Sequence, residues 1–177
     1  MKTPLFYLVI IISLSFPCCG QKKDKKDQPS ASVNNPGFPK KPIGWVSDFD
    51  SVFTPAQAVY LDSLMNAHEV QTTNEIAVVT LQPGSYQIIT PGDFDAFAFS
   101  LFKEWGIGKK DKNNGIGILV SVDLRKIRIE VGKGLALKLT DEEAKNIIDT
   151  IIVPEFKKGN YFTGILSGLR VIFKEIE

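Results

Sequence analysis

Hydrophobic positions beyond residue 50 recur with two periods, and stretches of the two kinds alternate along the chain. Thr54-Pro55-Ala56-Gln57 joins a capping threonine to a glutamine three residues on, with proline at the first helical position. Leu61, Leu64, Met65 and His68 then share one face, so a helix is predicted over about 54–71. Glu75 to Leu81 is a short β-branched apolar run between polar and Pro-Gly segments, the pattern of a buried strand. After Pro91-Gly92-Asp93, the stripe Phe94, Phe97, Ala98, Leu101, Phe102 and Trp105 predicts a second helix ending at Gly106. Ile116 to Val122 is apolar on both alternating faces, which predicts a central strand. Past the short link Asp123-Leu124-Arg125-Lys126, Ile127, Ile129 and Val131 alternate with Arg128 and Glu130, the signature of a hairpin whose second arm is an edge.

Thr140-Asp141-Glu142-Glu143 is another capping box, opening a helix over about 141–151, and after Pro154 a last helix is expected from about Tyr161 to Glu175. An opening strand fits near Ile43 to Ser47. Helices interleaved with strands in this order give an α/β fold, a three-layer α/β/α sandwich with a mixed central sheet.

The first residues follow a different rule. A lysine and then an apolar run from Leu5 to Pro17 read as a secretory signal, too short for a span of roughly 20 residues. The run ends at Cys18-Cys19-Gly20, which resembles a bacterial lipoprotein signal. Cys19, preceded by the small Cys18, is preferred as the lipidated residue over Cys18, which follows Pro17. Residues 1–19 are therefore expected to be signal peptide and lipidation site, and residues 20–41, rich in Lys, Pro, Ser and Asn, a disordered tether. Residues 42–177 form one domain, expected to be lipid-anchored and extracytoplasmic in the cell envelope.

Composition narrows the chemistry of that domain. Both cysteines of the 177-residue chain stand at the leader, so the domain has no thiol nucleophile, disulfide or thiolate zinc site. A net charge of +1 gives no basic excess for nucleic acid. GIGKKDKNNG, residues 106–115, lacks the spacing and the Ser or Thr of a nucleotide loop. His68, the sole histidine, falls on the apolar face of the first helix and reads as a core imidazole.

The hairpin has a geometric consequence: it carries the 106–115 loop next to Gly132-Lys133-Gly134. Asp111, Asn113 and Asn114 offer oxygen ligands there, with Glu130 close by, so calcium or magnesium is one reading of this corner. A plain turn at Asn113-Asn114-Gly115 is the other. Arg128 and Glu130 read as a cross-strand ion pair, or as pocket residues if a helix covers their face.

Trp45-Val46-Ser47-Asp48, Thr73 to Thr80, Trp105-Gly106-Ile107-Gly108, Asn113-Asn114-Gly115, Arg125 to Leu135 and Thr140-Asp141 together resemble the TPM domain family over about Trp45 to Ile172. The resemblance implies an extracytoplasmic or membrane-linked α/β/α domain; one relative is a thylakoid lumen protein credited with acid phosphatase activity, and some members bind calcium or magnesium. It implies Asp48, Asp111, Asn113 and Asn114 as metal ligands, with Arg128, Glu130, Gly132 and Gly134 around the pocket. Weak metal-assisted phosphatase activity is one expectation; a non-enzymatic module serving a membrane-protein partner is the other.

Overall fold

The computed structural model describes residues 39, 42–82 and 91–177, so the expected signal peptide with Cys18 and Cys19, and all of the expected tether but Pro39, lie outside the described residues. The elements are β1 (Val46–Asp48), α1 (Pro55–Thr72), β2 (Glu75–Thr80), α2 (Pro91–Trp105), β3 (Gly115–Ser121), β4 (Lys126–Val131), α3 (Asp141–Ile147), α4 (Val153–Phe156) and α5 (Tyr161–Ile176). The sheet runs in the order β1-β2-β3-β4. The first three strands are parallel, and β4 returns antiparallel to β3, making the sheet mixed.

Every residue of β3 is buried, as its unbroken apolar run requires, and β4 forms the edge its alternation predicts. One face of the sheet packs Ile76, Val78, Ile116, Ile118 and Ile129 against Leu61 and Met65 of α1 and Ile165, Leu169 and Ile172 of α5. The other packs Val79 and Leu119 against Phe94, Leu101 and Phe102 of α2. Gly117 of β3 lets the Phe102 ring lie on the strand; a Cβ there would enter the ring. The sheet is traversed in one direction from β1 to β3 while α1 and α2 lie on opposite faces. The two crossovers therefore have opposite hands, and one departs from the right-handed rule.

Both expected capping boxes are present. Thr54 accepts from the Gln57 N–H and Thr140 from the Glu143 N–H, while the Gln57 and Glu143 side chains accept from the threonine N–H groups. Beyond α3 the chain departs from expectation. The helix does not stop before Pro154 but widens into a π-turn at Ile148–Ile152, where the Val153 N–H donates to the Ile148 carbonyl, and continues as α4. Proline brings no N–H and crowds the preceding turn, and the widened turn absorbs both. It also presents Ile152 to Gly164 and Gly168 of α5, where the missing side chains allow close approach.

Candidate functional site

The two ends of the parallel strands are built from different chemistry. At their N-terminal end the 106–115 loop meets the 132–135 turn, as the hairpin requires: the Gly132 N–H donates to the Gly115 carbonyl at 2.8 Å and the Gly134 N–H to the Asn113 carbonyl at 3.0 Å. Gly134 lies so close to the Lys112 carbonyl that a Cβ would overlap it. Gly132 and Gly134 are thus required by backbone contact with the neighbouring loop.

Asn114, 4% exposed, is the centre of this corner. Its Nδ2 donates to the Thr73 carbonyl at 2.8 Å and to Asn74 Oδ1 at 3.1 Å, and its Oδ1 accepts from the Lys109 N–H at 2.9 Å. The next strand begins on the same residue, since the Glu75 N–H donates to the Asn114 carbonyl. Lys109 Nζ lies 2.8 Å from Glu69 and 2.5 Å from Glu75, and these hydrogen bonds hold its pKa above the ordinary lysine value. The second oxygen of Glu75 accepts from the N–H of Gly108, whose φ of 99° only glycine adopts readily.

Asp111 and Asn113 are exposed beside Lys110 and Lys112. The donor set of this corner does not suit a hard cation: the Asn114 amide and the Asn113 carbonyl already serve protein hydrogen bonds, Glu69 and Glu75 are taken up by Lys109, and Lys110 and Lys112 flank Asp111.

Asp48 is elsewhere. It closes β1 and pairs with Thr80, the last residue of β2, whereas the 106–115 loop enters β3 beside Glu75, the first residue of β2. Five strand residues at about 3.3 Å each put roughly 17 Å between the two levels. The set Asp48, Asp111, Asn113 and Asn114 is therefore split between opposite ends of the sheet, because β1, β2 and β3 run parallel. The Asp48 carboxylate accepts from the Val52 N–H at 2.9 Å, the Phe53 N–H at 2.8 Å and the Thr80 hydroxyl, and the Asp50 N–H donates to Thr80 Oγ1 at 3.2 Å. Sequence reading missed Thr80, which stands out only once β1 is paired with β2. Asp50 and Asp123 lie in the loops that follow β1 and β3 at this end. Among the described residues no three carboxylate, imidazole or thiolate groups converge on one point.

Arg128 and Glu130 do pair, Nε to Oε1 at 2.7 Å, but along β4 and not across strands, on the face covered by α2. Burial opposes the guanidinium charge there, but the pairing with Glu130, with Asp95 and Asp141 farther off, outweighs it and holds the Arg128 pKa up. His68 lies in the core, 6% exposed, its ring stacked on Phe173 at 4.2 Å and its Nε2 without a hydrogen bond. Burial lowers its pKa, against a smaller opposite pull from Glu177. It is a packing residue, as its place in the apolar pattern indicates.

The fold recurs in solved proteins. The N-terminal domain of a P. gingivalis protein superposes with a TM-score of 0.65 at 29% identity, covering 74% of this chain and 80% of that one. The BA42 protein of the psychrophilic bacterium Bizionia argentinensis superposes at 0.58 with 20% identity, covering 72% and 83%. The N-terminal domain of cg2496 from Corynebacterium glutamicum superposes at 0.56 with 12% identity, covering 76% and 81%. No curated protein matches the chain. The sequence profile of the TPM domain matches residues 46–175, which takes in the sheet and all but the last residue of α5, and by that match the chain belongs to the TPM domain family.

Proposed function

We propose that this TPM domain is held outside the cytoplasm on a lipidated cysteine, Cys19 in preference to Cys18, and that its working end is the C-terminal edge of β1, β2 and β3. Calcium or magnesium would bind there. The observation that carries the reading is the meeting of the Asp48 carboxylate, the Thr80 hydroxyl and the Asp50 backbone N–H at the ends of adjacent parallel strands, the place where open α/β sheets take their ligands. Asp48 and Asp50 would supply carboxylate oxygens; backbone carbonyls and water, which calcium accepts readily, would complete the shell. The Thr80 hydroxyl and the Val52 and Phe53 N–H groups fix the Asp48 carboxylate. A bound cation would supply Lewis acidity and an acidified water, enough for slow phosphomonoester hydrolysis.

Titrating calcium and magnesium while following backbone amide shifts tests this reading. Shifts at 48–53, 80 and 121–124 are expected, reduced by Asp48→Asn. Shifts confined to 109–114, or none up to roughly millimolar ion, would overturn it. Chelator-insensitive hydrolysis of a generic phosphomonoester, unchanged in Asp48→Asn, would remove the catalytic part alone.

A second reading, a non-enzymatic module that assists a membrane-protein partner, draws on α1. Its solvent-facing residues, Val59, Tyr60, Ser63, Asn66 and Val70 among them, include no charged side chain, in a chain that is 23% charged. Depletion of charge marks the centre of protein interfaces. A photo-crosslinker at Ser63 that captures no membrane protein above the same group at Lys126 would count against it.

A further inference from the structure

We infer that the N-terminal end of the parallel strands is a docking surface for an anionic lipid bilayer, and that it lays the tethered domain down on the membrane with the Asp48 edge facing away. The inference rests on the tethering proposed above.

It begins with Leu137, 99% exposed, the most exposed of the large hydrophobic residues among those described. Its position is fixed. Leu135 and Leu139 on either side are buried, the Lys138 and Leu139 N–H groups donate to the Leu135 carbonyl, and the turn is bonded to the neighbouring loop through the Gly134 N–H. The sequence thus holds an apolar side chain out in water at the tip of a turn braced from both sides.

The surroundings of that tip are basic. Lys133 lies in the same turn, and Lys110 and Lys112 in the loop bonded to it; all three are exposed, and among the described residues none has an ion-pair partner. Lys112 donates to the Thr73 hydroxyl, and Lys138 caps the last carbonyls of α5. Asp111, the terminal Glu177 and the first turn of α3, Asp141 to Glu143, carry the opposing charges. Lys109, by contrast, is held by Glu69 and Glu75. An apolar tip among unpaired lysines is complementary to anionic headgroups over acyl chains, to which each lysine adds roughly fivefold in partitioning.

Where the chain enters argues for the same occupant. Pro42, Gly44 and Trp45 gather with Ile107 at this end, and Ile43 is exposed there. A segment anchored through Cys19 would therefore reach the domain on the side that carries Leu137 and the lysines. At the opposite ends of the strands, Asp50 follows β1, and the turn after β3 carries Asp123 together with Arg125 and Lys126.

The test uses the full chain reconstituted on lipid nanodiscs of phosphatidylcholine, with or without about one-third phosphatidylglycerol, carrying a gadolinium headgroup chelate. On anionic discs the Leu137 methyls and the amides of 110–112 and 133 should broaden several-fold more than those of Asp50 and Ser121. That contrast should vanish on neutral discs, in high salt and in Lys110→Gln/Lys133→Gln. Leu137→Ser should weaken it, and since these side chains are exposed and unpaired, all the variants should fold as the parent does. A chain that travels with the discs but broadens equally at both ends, or equally on neutral lipid, overturns the docking surface and leaves the tether standing. A chain that does not travel with the discs overturns both.

Discussion

Asn114→Ala distinguishes a structural corner from a ligand site. The substitution removes the donors to the Thr73 carbonyl and Asn74 Oδ1 and the acceptor of the Lys109 N–H, three hydrogen bonds around a side chain only 4% exposed. At about 1 kcal/mol net for each bond, with more where a buried partner is left unsatisfied, the loss is about 3–4 kcal/mol. That is a large share of the 5–15 kcal/mol that typically holds a domain together, and it corresponds to roughly 10 °C in melting temperature. The control is its neighbour: Asn113 has φ of 49° and an exposed side chain, so Asn113→Gly should change stability by no more than about 0.5 kcal/mol. Urea unfolding of the two variants, with and without calcium, measures both. An Asn114→Ala variant within about 1 kcal/mol of the parent, or one whose deficit appears only with calcium present, would refute the structural assignment.

Burial depresses the folded-state pKa of His68, so the unfolded chain binds more protons near that pKa. Stability should be complete above about pH 6.5 and fall below it at up to about 1.4 kcal/mol per pH unit until the folded pKa is reached; His68→Phe should flatten that slope in urea unfolding followed against pH. Gly117→Ala drives a methyl into the Phe102 ring and should cost about 1–3 kcal/mol, and a double-mutant cycle with Phe102→Leu should show the coupling; additive effects would mean the ring moves freely. Thr140→Ala removes one side of a two-sided cap and should cost about 1 kcal/mol, read by thermal unfolding.

Much of the fold was legible because its signals are local. Thr54 and Thr140 cap helices with groups three residues away, the unbroken apolar run of β3 requires neighbours on both sides, and the hairpin alone brings the Asn113 loop to Gly134. The site was less legible. The residues quoted for the family resemblance are scattered along the chain, and a resemblance does not say which of them meet. Only strand pairing puts Asp48 beside Thr80 and roughly 17 Å from the level of Asn114, and only the packed loop shows that the Asn114 amide is engaged by Thr73, Asn74 and Lys109. Lys109 between Glu69 and Glu75 leaves no sequence signal either, since its partners lie 40 and 34 residues earlier on other elements.

The sequence by itself thus determined the two-layered helix cover, the central and edge strands and the absence of cysteine chemistry beyond residue 19, all of which follow from residue type and short-range period. Tertiary structure decided which end of the sheet each polar residue occupies, the passage of the helix through Pro154, the opposite hands of the two crossovers and the exposure of Leu137. These depend on the direction in which distant segments pair, and a one-dimensional pattern carries no direction.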